Sequence, residues 1–210
     1  MRLPAGVASL MIGRAARAAL QRTLPHVDAR AVWAEARHRH RDVTRDRPAA
    51  LGVLGQLLEW DLALHDALRQ AGVGPDDIGR AVTDLNWAIS RPGIVGGFAA
   101  SRLLGGARLT HVRRVIDALF ATLFVRPFAR TTLPSIDTVA FDVTRCPIAE
   151  YFAAHGVPEL TPHAGCTLDY RMAEAWSVTL ERTRTIAAGD ALCDFRFVPL
   201  SRGLSRGQSP

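Results

Sequence analysis

Val139-Ala140-Phe141-Asp142-Val143-Thr144-Arg145-Cys146-Pro147 marks the point at which the chain changes texture. Val139, Phe141 and Val143 alternate with Ala140, Asp142 and Thr144, the period of a strand with one buried face. Cys146-Pro147 ends that strand and starts a short helix over 148–155, capped by Gly156. Downstream, 158–166 reads as a loop and 168–176 as a further helical segment. Two β-type runs, 178–186 and 192–198, flank Ala187-Ala188-Gly189-Asp190 and predict a hairpin.

Upstream the apolar period is helical. A first helix over 5–22 carries Val7, Leu10, Met11, Ala15, Ala18 and Leu20 and ends before Pro25. A charged helix over 27–47 has a narrow stripe of Val32, Trp33 and Ala36, and its run Arg37-His38-Arg39-His40-Arg41 reads as a solvated face. Pro48 suits the first turn of the strongest helix, in which Leu51, Leu54, Leu58, Leu62, His65 and Leu68 recur every three or four residues up to Gly72. His65 on that stripe reads as a hydrogen-bonded core histidine. Pro75-Asp76-Asp77 opens the next helix, with Ile78, Val82, Leu85 and Ile89 inward, and Arg91-Pro92-Gly93 stops it. Gly93, Gly96, Gly97, Gly105 and Gly106 lack a phosphate-loop signature and read as close helix packing or a mobile lid. A fifth helix over 110–124 precedes Arg126-Pro127. The fold expected is α+β: a helical N-terminal two-thirds packed on a small antiparallel sheet with a C-terminal hairpin. Residues 1–200 form one domain, helical over 1–130 and holding the sheet and cysteines over 137–200, and 201–210 is a disordered polar tail.

Composition narrows the function. With 48% hydrophobic and 22% charged residues, the 210-residue chain supports a packed core. The net charge of +6 invites a nucleic-acid role, yet the 26 basic residues are all Arg and scattered, which fits surface solvation. No stretch reaches the roughly 18 apolar residues of a membrane span. The apolar start at 1–13 leads into Arg14, Arg17 and Arg22 at helical spacing, so an amphipathic helix is expected there rather than a signal, in a cytoplasmic protein. The helical surfaces are compatible with a homodimer.

All three cysteines, Cys146, Cys166 and Cys193, lie in the last third. An odd number of thiols without a secretion signal points to free thiols, a metal or catalysis rather than a disulfide framework. Three chemistries compete. As a nucleophile, Cys146 or Cys166 benefits from lying before a helix, where the dipole favours a thiolate; Asp169 lies one turn beyond Cys166, and His155 and His163 are candidate general bases. As metal ligands, Cys146, Cys166 and Cys193 converge only through folding, with Asp169 or His163 as the fourth partner of an ion such as zinc. As inert thiols they fill a core; Cys193, in phase with Phe195 and Phe197, has that pattern. Asp169 and Asp194 divide between surface carboxylates and functional ones.

Four blocks also carry a resemblance: Arg-Cys-Pro-x-x-x-x-Phe at 145–152, Cys-x-x-Asp at 166–169, Glu-Arg-Thr-x-Thr-x-Ala-x-Gly at 181–189 and Cys-Asp-Phe-Arg-Phe at 193–197. Together they resemble the L-2-amino-thiazoline-4-carboxylic acid hydrolase family. The resemblance implies hydrolytic opening of a small C–N/C–S heterocycle to N-carbamoyl-cysteine, with a small-molecule substrate and no nucleic-acid or membrane partner. Residue chemistry assigns Cys166, with Cys146 as an alternative, to attack, Asp169 and His163 to proton transfer, and Arg145 or Arg182 to a substrate carboxylate. Cys166, Asp169 and Cys193 also resemble the Cys/Asp/Cys set of organomercurial lyase, which makes a thiolate metal-binding protein the competing class. A non-enzymatic small-ligand module is the third.

Overall fold

The computed structural model describes residues 5–43 and 51–200. Five helices come first: α1 (Ala5–Thr23), α2 (Ala29–Val43), α3 (Gly52–Gln70), α4 (Pro75–Arg102) and α5 (Arg108–Thr122). Then follow β1 (Ala129–Leu133), β2 (Val139–Arg145), α6 (Pro147–Ala154), a π-helical turn (Pro162–Cys166), α7 (Thr167–Ala175), β3 (Val178–Glu181) and β4 (Cys193–Pro199). The strands form one antiparallel sheet in the order β1-β2-β4-β3, so the expected α+β architecture is present. The proposed start of the third helix at Pro48 and the tail at 201–210 lie outside the described residues.

Apolar burial forms two clusters. The larger joins α1 to α3, the N-terminal part of α4, and α6 with Val157, Leu160 and Ala164. The smaller lies on the inner face of the sheet, where Val139, Phe141, Val143, Val178, Leu180, Cys193 and Phe197 meet α5, α7 and Trp176. Phe141 stacks on Phe195 with ring centroids 4.7 Å apart. On the opposite face Arg196 donates to Asp142 at 2.9 Å. This is the inside/outside alternation expected of β2.

Several elements differ from expectation. Helix α4 does not stop at Pro92 but runs through it to Arg102. An interior proline costs about 3 kcal/mol in an isolated helix, and here tertiary packing outweighs that preference. Ile94 is buried in the smaller cluster, Phe98 stacks on Trp176 at 5.9 Å, and Trp176 Nε1 donates to the Ile94 carbonyl at 3.4 Å. Gly93, Gly96 and Gly97 therefore lie on the solvent face of a continuous helix, with nothing within 4 Å of where a Cβ would stand, and provide no close packing. Strand β1 carries no alternating apolar pattern, because it is an edge strand with no buried residue. The basic run on α2 is only partly solvated: His40 continues the Trp33–Ala36 stripe and stacks on Trp60 at 3.8 Å. His65 is buried as expected and pairs with Asp66 at 2.9 Å.

Helical glycines in opposite environments give a test. Gly96→Ala or Gly97→Ala is expected to stabilise the protein by about 0.5–1 kcal/mol through helix propensity. A Cβ on Gly79 would overlap the His163 ring, so Gly79→Ala is expected to destabilise by about 1–3 kcal/mol. Urea unfolding midpoints check both signs.

Candidate active site

Arg182 follows the last residue of β3 and keeps that strand's inward phase after Val178 and Leu180. Its side chain is 2% exposed. The guanidinium lies between the rings of Tyr170 and Phe195, 5.0 Å from each centroid. Nη1 donates to Asp169 Oδ2 at 2.7 Å and Nη2 to the Cys166 carbonyl at 3.0 Å. Nε is buried without a hydrogen-bond partner.

The partners of Arg182 come from a segment whose local fold differs from the sequence expectation. Residues 160–175 are continuously helical, where a loop up to Cys166 was expected, and the π-helical turn widens the helix at Pro162–Cys166. Such turns recur at functional sites. Cys166 therefore has helical dihedrals inside a helix rather than a place at its N-terminus. Cys146 is the residue before α6, as expected. Neither thiol is activated. Burial pushes Cys166 up to about 12, and Asp169 adds to the shift while Arg182 opposes it. Burial likewise pushes Cys146 up to about 11, although the first amides of α6 favour the thiolate.

Electrostatics shows what the fold brings together. Cys193 and Asp169 are close enough to Cys146 to disfavour its thiolate form, and Asp169, Cys193 and Cys146 do the same at Cys166, where Arg182 acts in the opposite direction. Cys193 is buried in the sheet core, its pKa raised by burial, and its Sγ accepts from the Ile186 N–H at 3.2 Å. Burial raises the Asp169 carboxyl to about 6 against the pull of Arg182. For Arg182 the balance is reversed: burial opposes its charge, but Asp169 and Cys166 hold its pKa above the ordinary value. At neutral pH the centre is one cation, one carboxylate and three protonated thiols.

Other expected residues lie elsewhere. The His163 ring packs on Gly79 and Thr83 of α4, with Nδ1 3.4 Å from Thr83 Oγ1. His155 is at the surface with Nδ1 2.8 Å from the Tyr151 carbonyl oxygen. Arg145 is exposed and paired with Glu150 through bonds of 2.7 and 3.1 Å, whereas Arg182 is the arginine paired with Asp169. Among the described residues no group of three or more His, Cys, Asp or Glu side chains is arranged to hold a metal ion.

Asp194 is not solvent-facing. It is 8% exposed and accepts from the Thr183 and Arg184 N–H groups at 3.0 and 2.6 Å and from Thr183 Oγ1 at 2.8 Å. Those bonds replace a continued ladder, so the strand expected over 178–186 ends at Glu181 and the hairpin connection is longer than four residues. Tyr170, one residue beyond the block at 166–169, carries no sequence signal of its own, whereas Asp194, inside the block at 193–197, is the carboxylate that the sequence left between a surface and a functional role.

The fold and centre define an α+β protein with a largely buried arginine–carboxylate pair joined to the Cys166 carbonyl. Residues 100–197 match the family model of L-2-amino-thiazoline-4-carboxylic acid hydrolase, which bears out the resemblance in the C-terminal part of the chain and spans the whole centre. No curated protein matches the chain. Among the described residues no helix is long and apolar enough to cross a membrane.

The raised carboxyl predicts a pH dependence. Asp169 binds its proton more tightly in the folded state, so its contribution is fully present below about pH 4 and is lost as pH rises through about 6. The loss amounts to about 3 kcal/mol by pH 8. Chemical denaturation of the parent and Asp169→Asn between pH 4 and 8 is expected to show a shallower fall in the variant.

Proposed function

We propose that the protein is a hydrolase that opens a small amino-thiazoline-like ring bearing a carboxylate. The supporting observation is the buried Arg182–Asp169 pair beside Cys166, inside the part of the chain that matches the hydrolase family. Cys166 is the attacking group, because Cys193 is sequestered in the sheet core and Cys146 packs against the larger helical core. Its thiol is protonated at rest, so the nucleophile forms only as Asp169 accepts the proton. Sulfur then bonds to the ring carbon between S and N, the ring C–S bond breaks, and Asp169 returns the proton to the leaving sulfur. Water attacks the same carbon, adding oxygen there and returning hydrogen to Cys166 and the ring-derived nitrogen, which frees the carbamoyl product. Arg182 meets the substrate carboxylate through its unpartnered Nε. No metal takes part in this scheme, and residues 1–200 act as one cytoplasmic domain.

Turnover of 2-amino-thiazoline-4-carboxylate and related cyclic amidines tests the reading. Cys166→Ala and Asp169→Asn are each expected to lower kcat/KM by at least about 100-fold while remaining folded. In the parent, kcat/KM rises through about pH 6 as Asp169 deprotonates, and Asp169→Asn removes that limb. An inert panel combined with stoichiometric mercury(II) capture dependent on Cys166 and Cys193 would instead favour the organometal lyase reading.

A further inference from the structure

We propose that Asp194 is a positioning residue that aims Arg182 at Asp169 and Cys166 through the backbone of the two residues that follow it. The inference deepens the hydrolase reading, but its structural basis stands apart from turnover. In the β3–β4 ladder the last register pair is Glu181 with Arg196. One more pair of steps would set Thr183 opposite Asp194 as an ordinary ladder position. Instead the Asp194 carboxylate takes the Thr183 and Arg184 N–H groups and the Thr183 hydroxyl, while the Asp194 N–H donates to the Arg184 carbonyl at 3.3 Å. Arg182 is thus the last residue in the inward phase of the strand, and the chain departs immediately after it.

The arrangement determines where a long, flexible side chain starts. Arg182 has several rotatable bonds, and its ordering is entropically unfavourable unless the backbone that carries it is fixed. From β3 alone the Cα would be held on one side. Asp194 holds it on the other, from the sheet face opposite to that occupied by the guanidinium. The surrounding turn continues the restraint: Thr185 N–H donates to Asp190 Oδ2 at 2.8 Å and Ile186 N–H to Cys193 Sγ. Burial opposes the Asp194 charge, but the converging donors hold the carboxyl below its ordinary range, so it remains a full acceptor at neutral pH. Asn at this position presents one acceptor fewer to the same three donors.

The test is hydrogen exchange at Arg182 Nε in protein labelled with 15N-arginine, the resonance being assigned by its loss in Arg182→Lys. The internal reference is the Trp176 indole N–H, buried in the same cluster and bonded to the Ile94 carbonyl. Asp194→Asn is expected to accelerate Arg182 exchange about tenfold with the Trp176 rate unchanged, as for a net loss of roughly 1.4 kcal/mol of hydrogen bonding. Equal acceleration of both signals, or none, overturns the proposal. Should Asp194→Asn fail to fold, Thr183→Val removes only the hydroxyl contact and decides on the same two signals, with a smaller acceleration confined to Arg182. Turnover is scored separately. A parent inert on the substrate panel, with Arg182 loosened selectively in the variant, retains the positioning role and removes the hydrolase reading; an active parent with Arg182 unmoved does the reverse.

Discussion

Burying the Arg182 guanidinium imposes a constraint that the C-terminal fold is arranged to meet. A cation with a 2% exposed side chain requires a carboxylate within bonding distance, and removing one partner of such a pair costs about 3–5 kcal/mol. Asp169 is that partner, so α7 must lie against the end of β3 with its first turn facing the sheet. The Cys166 carbonyl completes the fork and fixes the widened helical turn in the same place. Since Arg182 neutralises only part of the cost of burying Asp169, the carboxyl stays close to its titration point at physiological pH. A rigid ion pair and a readily protonated acid are in this way the same feature.

The helix carrying Asp169 is also tied from its other side. Two residues on, Arg171 donates to Asp84 of α4 at 2.7 Å, and Thr23 of α1 donates to the second oxygen of that carboxylate at 2.7 Å. Helix α4 contributes Ile78, Val82 and Leu85 to the larger cluster and Ile94 to the smaller one, so it links the helical core to the sheet core. Trp87 begins that link, and the extension of α4 through Pro92 completes it with Ile94 and Phe98, the latter stacked on Trp176. The N-terminal helices thus act as the frame against which α7, and with it Asp169, is registered.

Legibility in the sequence followed the range of the interactions. Strongly periodic segments such as α3 and β2 were readable because their own side chains make the buried face. The place of Cys193 in the core was readable from its phase with Phe195 and Phe197. Helix α4 beyond Pro92 was not, because local propensity opposes it and distant Trp176 supports it. Nor was the end of β3 at Glu181, since β-branched residues recur up to Ile186 and the interruption is a side-chain carboxylate on the neighbouring strand. Which side chains of the cysteine region meet was not legible at all from spacing: Arg182 reaches Asp169 and the Cys166 carbonyl across 13 and 16 residues, while Arg145 pairs with Glu150 and the His163 ring lies against Gly79 of α4.

Cys146 and Cys166 show why spacing alone cannot identify an activated cysteine. Cys146 has the favourable address, immediately before a helix, and its neighbouring amides do act to stabilise a thiolate. Yet burial outweighs them and the thiol ends near 11. Cys166 has a guanidinium beside it and ends higher still: burial is the main cause, and the carboxylate that neutralises Arg182 also repels a thiolate. An arginine already paired is therefore a weak activator of a nearby sulfur and a strong organiser of a nearby carboxylate. The electrostatic state of both sulfurs therefore depends more on burial and on whatever fixes the Arg182–Asp169 geometry than on the dipole of either helix.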